Sequence, residues 1–231
     1  MTMDNLGIQL SPLEGILLLG KPAIGKGTQA LELVNSNPEL FYILGTGDWF
    51  RSSEVIDVSL KGGKEIKEIL ESGHVAKGNY VPDELTVGYA YEKLRSGFNT
   101  VQDHNPDKIC NPFDKLYLLD GFPRTVPQAK LSERINVGLV FYFETSQDSV
   151  VNRFEKRRKE NTGAGLNRPD DTPEIFLKRL DVYDEKTKPL VDFYSNKLGS
   201  NFISVDASPD ANTVHAVIAK IIGDHYKIDV Q

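Results

Sequence analysis

Apolar positions along this chain fall into two alternating signatures. Residues 15–19 form a short, continuous apolar run that stops at Gly20, the pattern of a strand buried on both faces of a parallel sheet. Helical spacing follows at once: Ala30, Leu31 and Val34 fall on one face, and Asn35, Ser36, Asn37 and Pro38 end the run. The first unit therefore reads strand, glycine loop, helix. Short apolar segments recur at 41–44, 116–119, 138–143 and 202–205 with helical stretches between them, which predicts an α/β fold on a parallel sheet. After Thr172, Pro173 opens a helix whose apolar residues Phe176, Leu180, Tyr183, Leu190 and Tyr194 keep helical spacing, with a kink expected at Pro189.

Three stretches interrupt this alternation. Residues 46–88 read as mostly helical and 159–171 as polar and glycine-containing, and both suit flaps over a site. Residues 96–115 combine Asn, Asp, Pro and Gly without a period and read as a surface loop. At 231 residues one domain, 1–231, is expected to carry all of this.

Composition removes several function classes. A net charge of −6 argues against a broad nucleic-acid footprint, so an anionic ligand must be met by local charge. No apolar run approaches the roughly 20 residues of a membrane span, and the N-terminal residues lack a basic segment followed by an apolar one, so a cytoplasmic protein without a membrane partner is expected. Cys110 is the only cysteine, which excludes an intramolecular disulfide and a cysteine-quartet zinc site. His74, His104, His215 and His225 are too widely spaced for a helical metal motif and read as structural or surface residues.

The candidate chemistry begins at Gly20-Lys21-Pro22-Ala23-Ile24-Gly25-Lys26-Gly27-Thr28, which fits the GxxxxGK part of a phosphate-binding loop and lies between a strand and a helix. Backbone N–H groups there aim at phosphate oxygens, Lys26 adds a cation, and Gly25 and Gly27 let the main chain come close. The plain alternative is a glycine turn with a surface lysine. Gly27 stands where a Ser or Thr would hold Mg²⁺ directly, so another residue must position the metal.

Gly25-Lys26-Gly27-Thr28-Gln29 is the form this loop takes in adenylate kinases, and Leu119-Asp120-Gly121-Phe122-Pro123-Arg124-Thr125-Val126-Pro127-Gln128-Ala129 resembles that family's signature at the end of its third core strand. Gly45-Thr46-Gly47-Asp48-Trp49-Phe50-Arg51 resembles the start of its AMP-binding flap, and Arg153, Arg157, Arg168 and Arg179 match its clamp arginines. Together with Arg51 and Arg124 these are six of nine arginines in the chain. The resemblance implies a P-loop fold with a five-stranded parallel sheet in the order 2-3-1-4-5, an AMP-binding helical flap at 46–88 and a short lid at 158–171. It implies transfer of the terminal phosphate of ATP to AMP, giving two ADP. The sequence has no heptad pattern or evident apolar patch, so a monomer is expected.

By that resemblance ATP is held by Gly20, Ala23, Ile24, Gly25, Lys26, Gly27, Thr28 and Arg157, with Arg153 near its adenine. AMP is held by Thr46, Arg51, Val81 (through its backbone), Gly121, Arg124 and Gln128. Arg168 and Arg179 bridge toward AMP and the transferred group, and Lys26, Asp120, Arg124, Arg157, Arg168 and Arg179 form the catalytic set. Physically, an Asp at the C-terminal end of a buried strand suits hydrated Mg²⁺, which needs few carboxylates. Arg124 offers a planar fork for a phosphate. The Gln128 amide both donates and accepts, as adenine requires. The related UMP/CMP kinases carry Asn at the position of Thr125, so Thr125 with Gln128 favours AMP.

Three departures from the family pattern stand out. Ala23 and Ile24 replace a Gly and a small residue, which places added bulk near the phosphates; the run from Gly73 to Glu84 is lengthened; and Asn167-Arg168-Pro169 replaces Gly-Arg-Val in the lid, which is expected to stiffen it. The first keeps open a catalytically weak nucleotide-binding interaction module, and a UMP/CMP or other nucleoside monophosphate kinase is the nearer alternative.

Overall fold

A computed structural model describes residues 13–95, 115–132, 134–160 and 172–231. The expected loop at 96–115 apart from Lys115, most of the lid with Arg168, and Cys110 and His104 lie outside the described residues. Five parallel strands, β1 (Leu13–Leu19), β2 (Phe41–Gly45), β3 (Leu116–Asp120), β4 (Ile135–Glu144) and β5 (Phe202–Asp206), pair in the order β2-β3-β1-β4-β5. Along the chain, helix α1 (Lys26–Ser36) follows β1 and α2 (Thr46–Trp49) follows β2. Helices α3 (Gly63–Glu71) and α4 (Asp83–Arg95) come next, then α5 (Val126–Leu131) after β3. The series ends with α6 (Gln147–Glu160), α7 (Pro173–Val182), α8 (Pro189–Leu198) and α9 (Ala211–Tyr226).

The apolar run of β1 is continuous because the sheet is covered on both faces. Ile16 and Leu18 face a cluster that includes Leu33 of α1, Val150 and Phe154 of α6, Phe176 and Leu180 of α7, and Ile218 and Ile222 of α9. Leu17 and Leu19 face the opposite cluster, with Val87 and Ala90 of α4 and Leu190 and Tyr194 of α8. This alternation on one strand is what period-two geometry demands when neither face meets water. Parallel register brings Leu18 and Gly45 level with Asp120, so the ends of β1, β2 and β3 open at one place. Ligands bind at such C-terminal strand ends in open α/β sheets.

Two expectations about the helices need correction. Leu31 is 52 % exposed, because the buried stripe of α1 is Gln29, Ala30, Leu33 and Val34. The run expected to be one helix kinked at Pro189 is divided in two, with Pro189 at the first position of the second helix, α8. The chain reaches it through a π turn, Tyr183–Thr187, in which the Lys188 N–H donates to Tyr183 O at 2.8 Å. The wider turn ends the ladder just before Pro189, which has no N–H to continue it. Pro173 takes the predicted first position of α7, with Thr172 accepting from the Ile175 N–H.

Candidate functional site

The loop after β1 takes the form its glycines allow. Gly20 has φ +153°, and a Cβ there would stand 2.9 Å from Phe143 O, so no side chain fits. Gly25 caps α1 at φ 112°, with its carbonyl accepting from the Gln29 N–H. The N–H groups of Lys26, Gly27 and Thr28 begin the helix and have no intrahelical partner, so the first turn faces the loop as an anion-binding end.

The two departures in this loop resolve differently. Ala23 adopts φ 62°, a left-handed conformation that strains any residue with a Cβ. Ile24 does not crowd the phosphate side: its side chain is 2 % exposed and belongs to the core cluster of β1 and α1. Only the main chain of Ile24 remains for a ligand, and its carbonyl already accepts from Arg153 Nη1 at 2.7 Å. Arg153 is committed to main chain in this way, since its Nη2 also donates to Ala207 O and to Pro209 O. It ties the loop to the turn between β5 and α9, a partner set for which the sequence held no signal.

Lys26 curls back over the loop, with Nζ donating to Gly20 O at 2.7 Å and to Lys21 O at 2.9 Å. Burial lowers its pKa from 10.5 to about 8; nearby Asp120 offsets part of that and Arg124 adds to it. Asp120 ends β3 beside the loop, and its Oδ2 lies 3.2 Å from the point a Gly27 Cβ would occupy. The carboxylate thus fills the space left by the missing loop hydroxyl. One carboxylate beside a phosphate loop fits a Mg²⁺ ion that keeps most of its waters.

Beyond Asp120 the chain turns at Gly121, whose φ of +69° would strain any other residue and whose added Cβ would stand 2.9 Å from Arg124 Nη2. Gly121 O accepts from Thr46 Oγ1 at 2.7 Å and from Arg124 Nε at 2.8 Å. Thr46 is the first residue of α2 rather than its cap, which is Gly45, so its hydroxyl is free to make this link. Arg51 falls just past α2, not on it, because Phe50 caps the helix. Its Nη2 nevertheless leans back to 3.7 Å from the point a Gly47 Cβ would occupy, and Arg124 Nη2 is 3.3 Å from the same point. Two guanidinium groups converge on Gly47, which adds no side chain of its own there.

This basic corner adjoins a cleft lined by Thr46, Phe50, Val75, Val81, Arg124 and Gln128, with Asn79, Tyr80 and Thr86 completing the wall. Gln128 is 1 % exposed and both ends of its amide are engaged. Its Oε1 accepts from the Arg124 N–H at 2.7 Å, and its Nε2 donates to Asp83 Oδ1 at 2.9 Å. Thr125 caps α5 by accepting from the Gln128 N–H and donates its own hydroxyl to the same Asp83 oxygen. Asp83, at the start of α4, therefore fixes which way the amide points and leaves one amide hydrogen for a ligand. Sequence reading missed it, because a contact across 45 residues leaves no local pattern. Val81 is buried in the cleft wall, with its carbonyl accepting from Thr86 Oγ1.

Two further expected site arginines lie on α6 and α7. Arg157 lies on α6 one turn beyond Arg153, with its guanidinium 5.8 Å from the Phe154 ring centre. Arg179 lies on α7, where its Cγ is 3.6 Å from the point a Gly78 Cβ would occupy, so α7 touches the segment between α3 and α4. Among the described residues no helix is long and apolar enough to cross a membrane.

Comparison with known proteins agrees with this geometry. The family model for adenylate kinase matches residues 18–198. The adenylate kinase of Oenococcus oeni is 31 % identical over 219 residues, covering 91 % of this chain and 98 % of that protein. The adenylate kinase of Clostridium perfringens (strain SM101 / Type A) is 34 % identical, covering 90 % and 98 %. That of Methylorubrum populi is 36 % identical, covering 78 % and 82 %. A five-stranded P-loop sheet in the order 2-3-1-4-5 and a match across most of the chain lead to one statement: the chain belongs to the adenylate kinase family.

Proposed function

We propose that the protein reversibly transfers the terminal phosphate of ATP to AMP, giving two ADP. The observation that carries this reading is the pairing of a phosphate loop with a second basic corner, where Arg51 and Arg124 converge on Gly47 beside a buried amide at Gln128. A protein that only bound or hydrolysed ATP has no use for the second corner. The loop amides from Gly20 to Thr28 and Lys26 hold the donor phosphates, while Arg153 keeps the loop and the β5–α9 turn in place beside its base. Thr46, Arg51, Gly121 and Arg124 hold the AMP phosphate, and Val81 and Gln128 its base. Arg157 and Arg179, with Arg168, meet the charge on the transferring group, which positioning and electrostatics must stabilise.

Asp120 holds Mg²⁺ through water in this reading, and the metal supplies charge neutralisation across the donor phosphates. Segments 46–88 and 158–171 act as flap and lid, excluding water that would otherwise hydrolyse ATP. The protein works as a cytoplasmic monomer. A coupled assay with ATP and a panel of AMP, UMP, CMP and GMP tests the reading. Fast, reversible ADP formation with AMP alone is expected, and a faster rate with UMP or CMP would replace AMP as the acceptor.

The lowered pKa of Lys26 gives a second check. At pH 9 the nucleotide-free amine, with its pKa of about 8, is mostly neutral, and bound polyphosphate restores its proton. ATP binding is then expected to take up about 0.9 proton per site at pH 9 and about 0.1 at pH 7. Calorimetry in two buffers of different ionisation heat reads this directly. Equal binding heats in both buffers at pH 9 would contradict it.

A further inference from the structure

The AMP-binding reading leaves Tyr80 unused, although it lines the same cleft. Its ring lies under the Arg124 guanidinium, 5.1 Å from ring centre to Cζ, within the range of a cation–π contact. Its hydroxyl is 3.0 Å from Thr187 Oγ1, a buried hydroxyl 107 residues away in the π turn between α7 and α8. Gly78, two residues earlier, packs against the Lys178 and Arg179 stems on α7. One side chain thus touches the phosphate-binding arginine with its ring and the core helices with its hydroxyl.

We propose that Tyr80 is a positioning residue that links the docking of the α3–α4 segment on α7 and α8 to the orientation of Arg124. The Tyr80 ring holds the guanidinium carbon over its face, while Nε is held by Gly121 O. These two restraints fix the plane of the fork and leave the Nη edge for an acceptor phosphate. The Thr187 contact sets where the ring sits. When this segment lifts away, the ring leaves with it, and Arg124 loses half of its support. Tyr80 touches Arg124 and never the reacting atoms, so its effect belongs to acceptor binding rather than to the donor.

The inference rests on AMP being the acceptor, and steady-state kinetics separates the two claims. Wild-type protein that forms no ADP from AMP sinks the proposed function itself. With an active wild type, Tyr80→Leu is expected to raise KM for AMP about tenfold and leave KM for ATP within about twofold. Tyr80→Phe keeps the ring and is expected to recover part of the loss, the remainder reporting the Thr187 contact. Tyr80→Phe and Thr187→Val remove the same bond, so the double variant should bind AMP no more weakly than either alone. These two changes are nearly isosteric and decide the matter even if Tyr80→Leu fails to fold. Equal changes in both KM values, a Tyr80→Phe as impaired as Tyr80→Leu, or multiplying effects in the double variant would each overturn the proposal.

Discussion

Replacing Lys26 with methionine is expected to lower kcat for ADP formation by about three orders of magnitude while the protein stays folded. In the free protein the amine is held by Gly20 O and Lys21 O, directly over the loop, so it is already placed to follow the transferring phosphate. Removing one preorganised donor from developing charge costs about 10²–10³ in rate, and Lys26 also supplies a full charge beside Asp120. Stability should not follow the same course. Because the folded pKa is lowered, the charged form at pH 7 costs folding free energy, a cost that is relieved only as pH rises through about 8 toward the unfolded value. Methionine keeps the stem and removes that cost, so the melting temperature should hold or rise at pH 7. Single-turnover rates and a thermal melt check both halves, and a kcat within about tenfold of wild type would remove Lys26 from the transfer step.

What could be read from the sequence was whatever is local. The loop and its flanks were legible because a buried parallel strand, a glycine turn and a helix start each leave a pattern within a few residues. The Asp120 to Gln128 segment was legible for the same reason, as one strand end, one turn and one capped helix placed its groups in order. Period alone could not choose between Ala30 and Leu31 for the centre of the buried stripe, and the fold chose the smaller residue where α1 meets the sheet. Nor could it tell that Ile24, placed in a phosphate loop, would serve the core. Asp83 beneath Gln128, Tyr80 beneath Arg124 and the main-chain ties of Arg153 were invisible because each joins segments far apart in the chain. Groups within one local segment could thus be read more readily than the distant side chains that hold them in place.

Arg124 offers the sharpest test of that division between binding and holding groups. Arg124→Lys is expected to be nearly as damaging as Arg124→Ala, each lowering kcat/KM for AMP by about 10²–10³. A guanidinium here does three things at once. Its Nε donates to Gly121 O, its Cζ lies over the Tyr80 ring, and its Nη2 reaches the space beside Gly47 that it shares with Arg51. An ammonium on a flexible stem keeps the charge but cannot donate to Gly121 O and a phosphate in one fixed plane. If charge alone mattered, lysine would restore most of the activity. With kcat/KM for ATP measured alongside as the control, recovery by lysine to within about tenfold of wild type would mean that the planar fork is dispensable and that the corner works as a simple pool of positive charge.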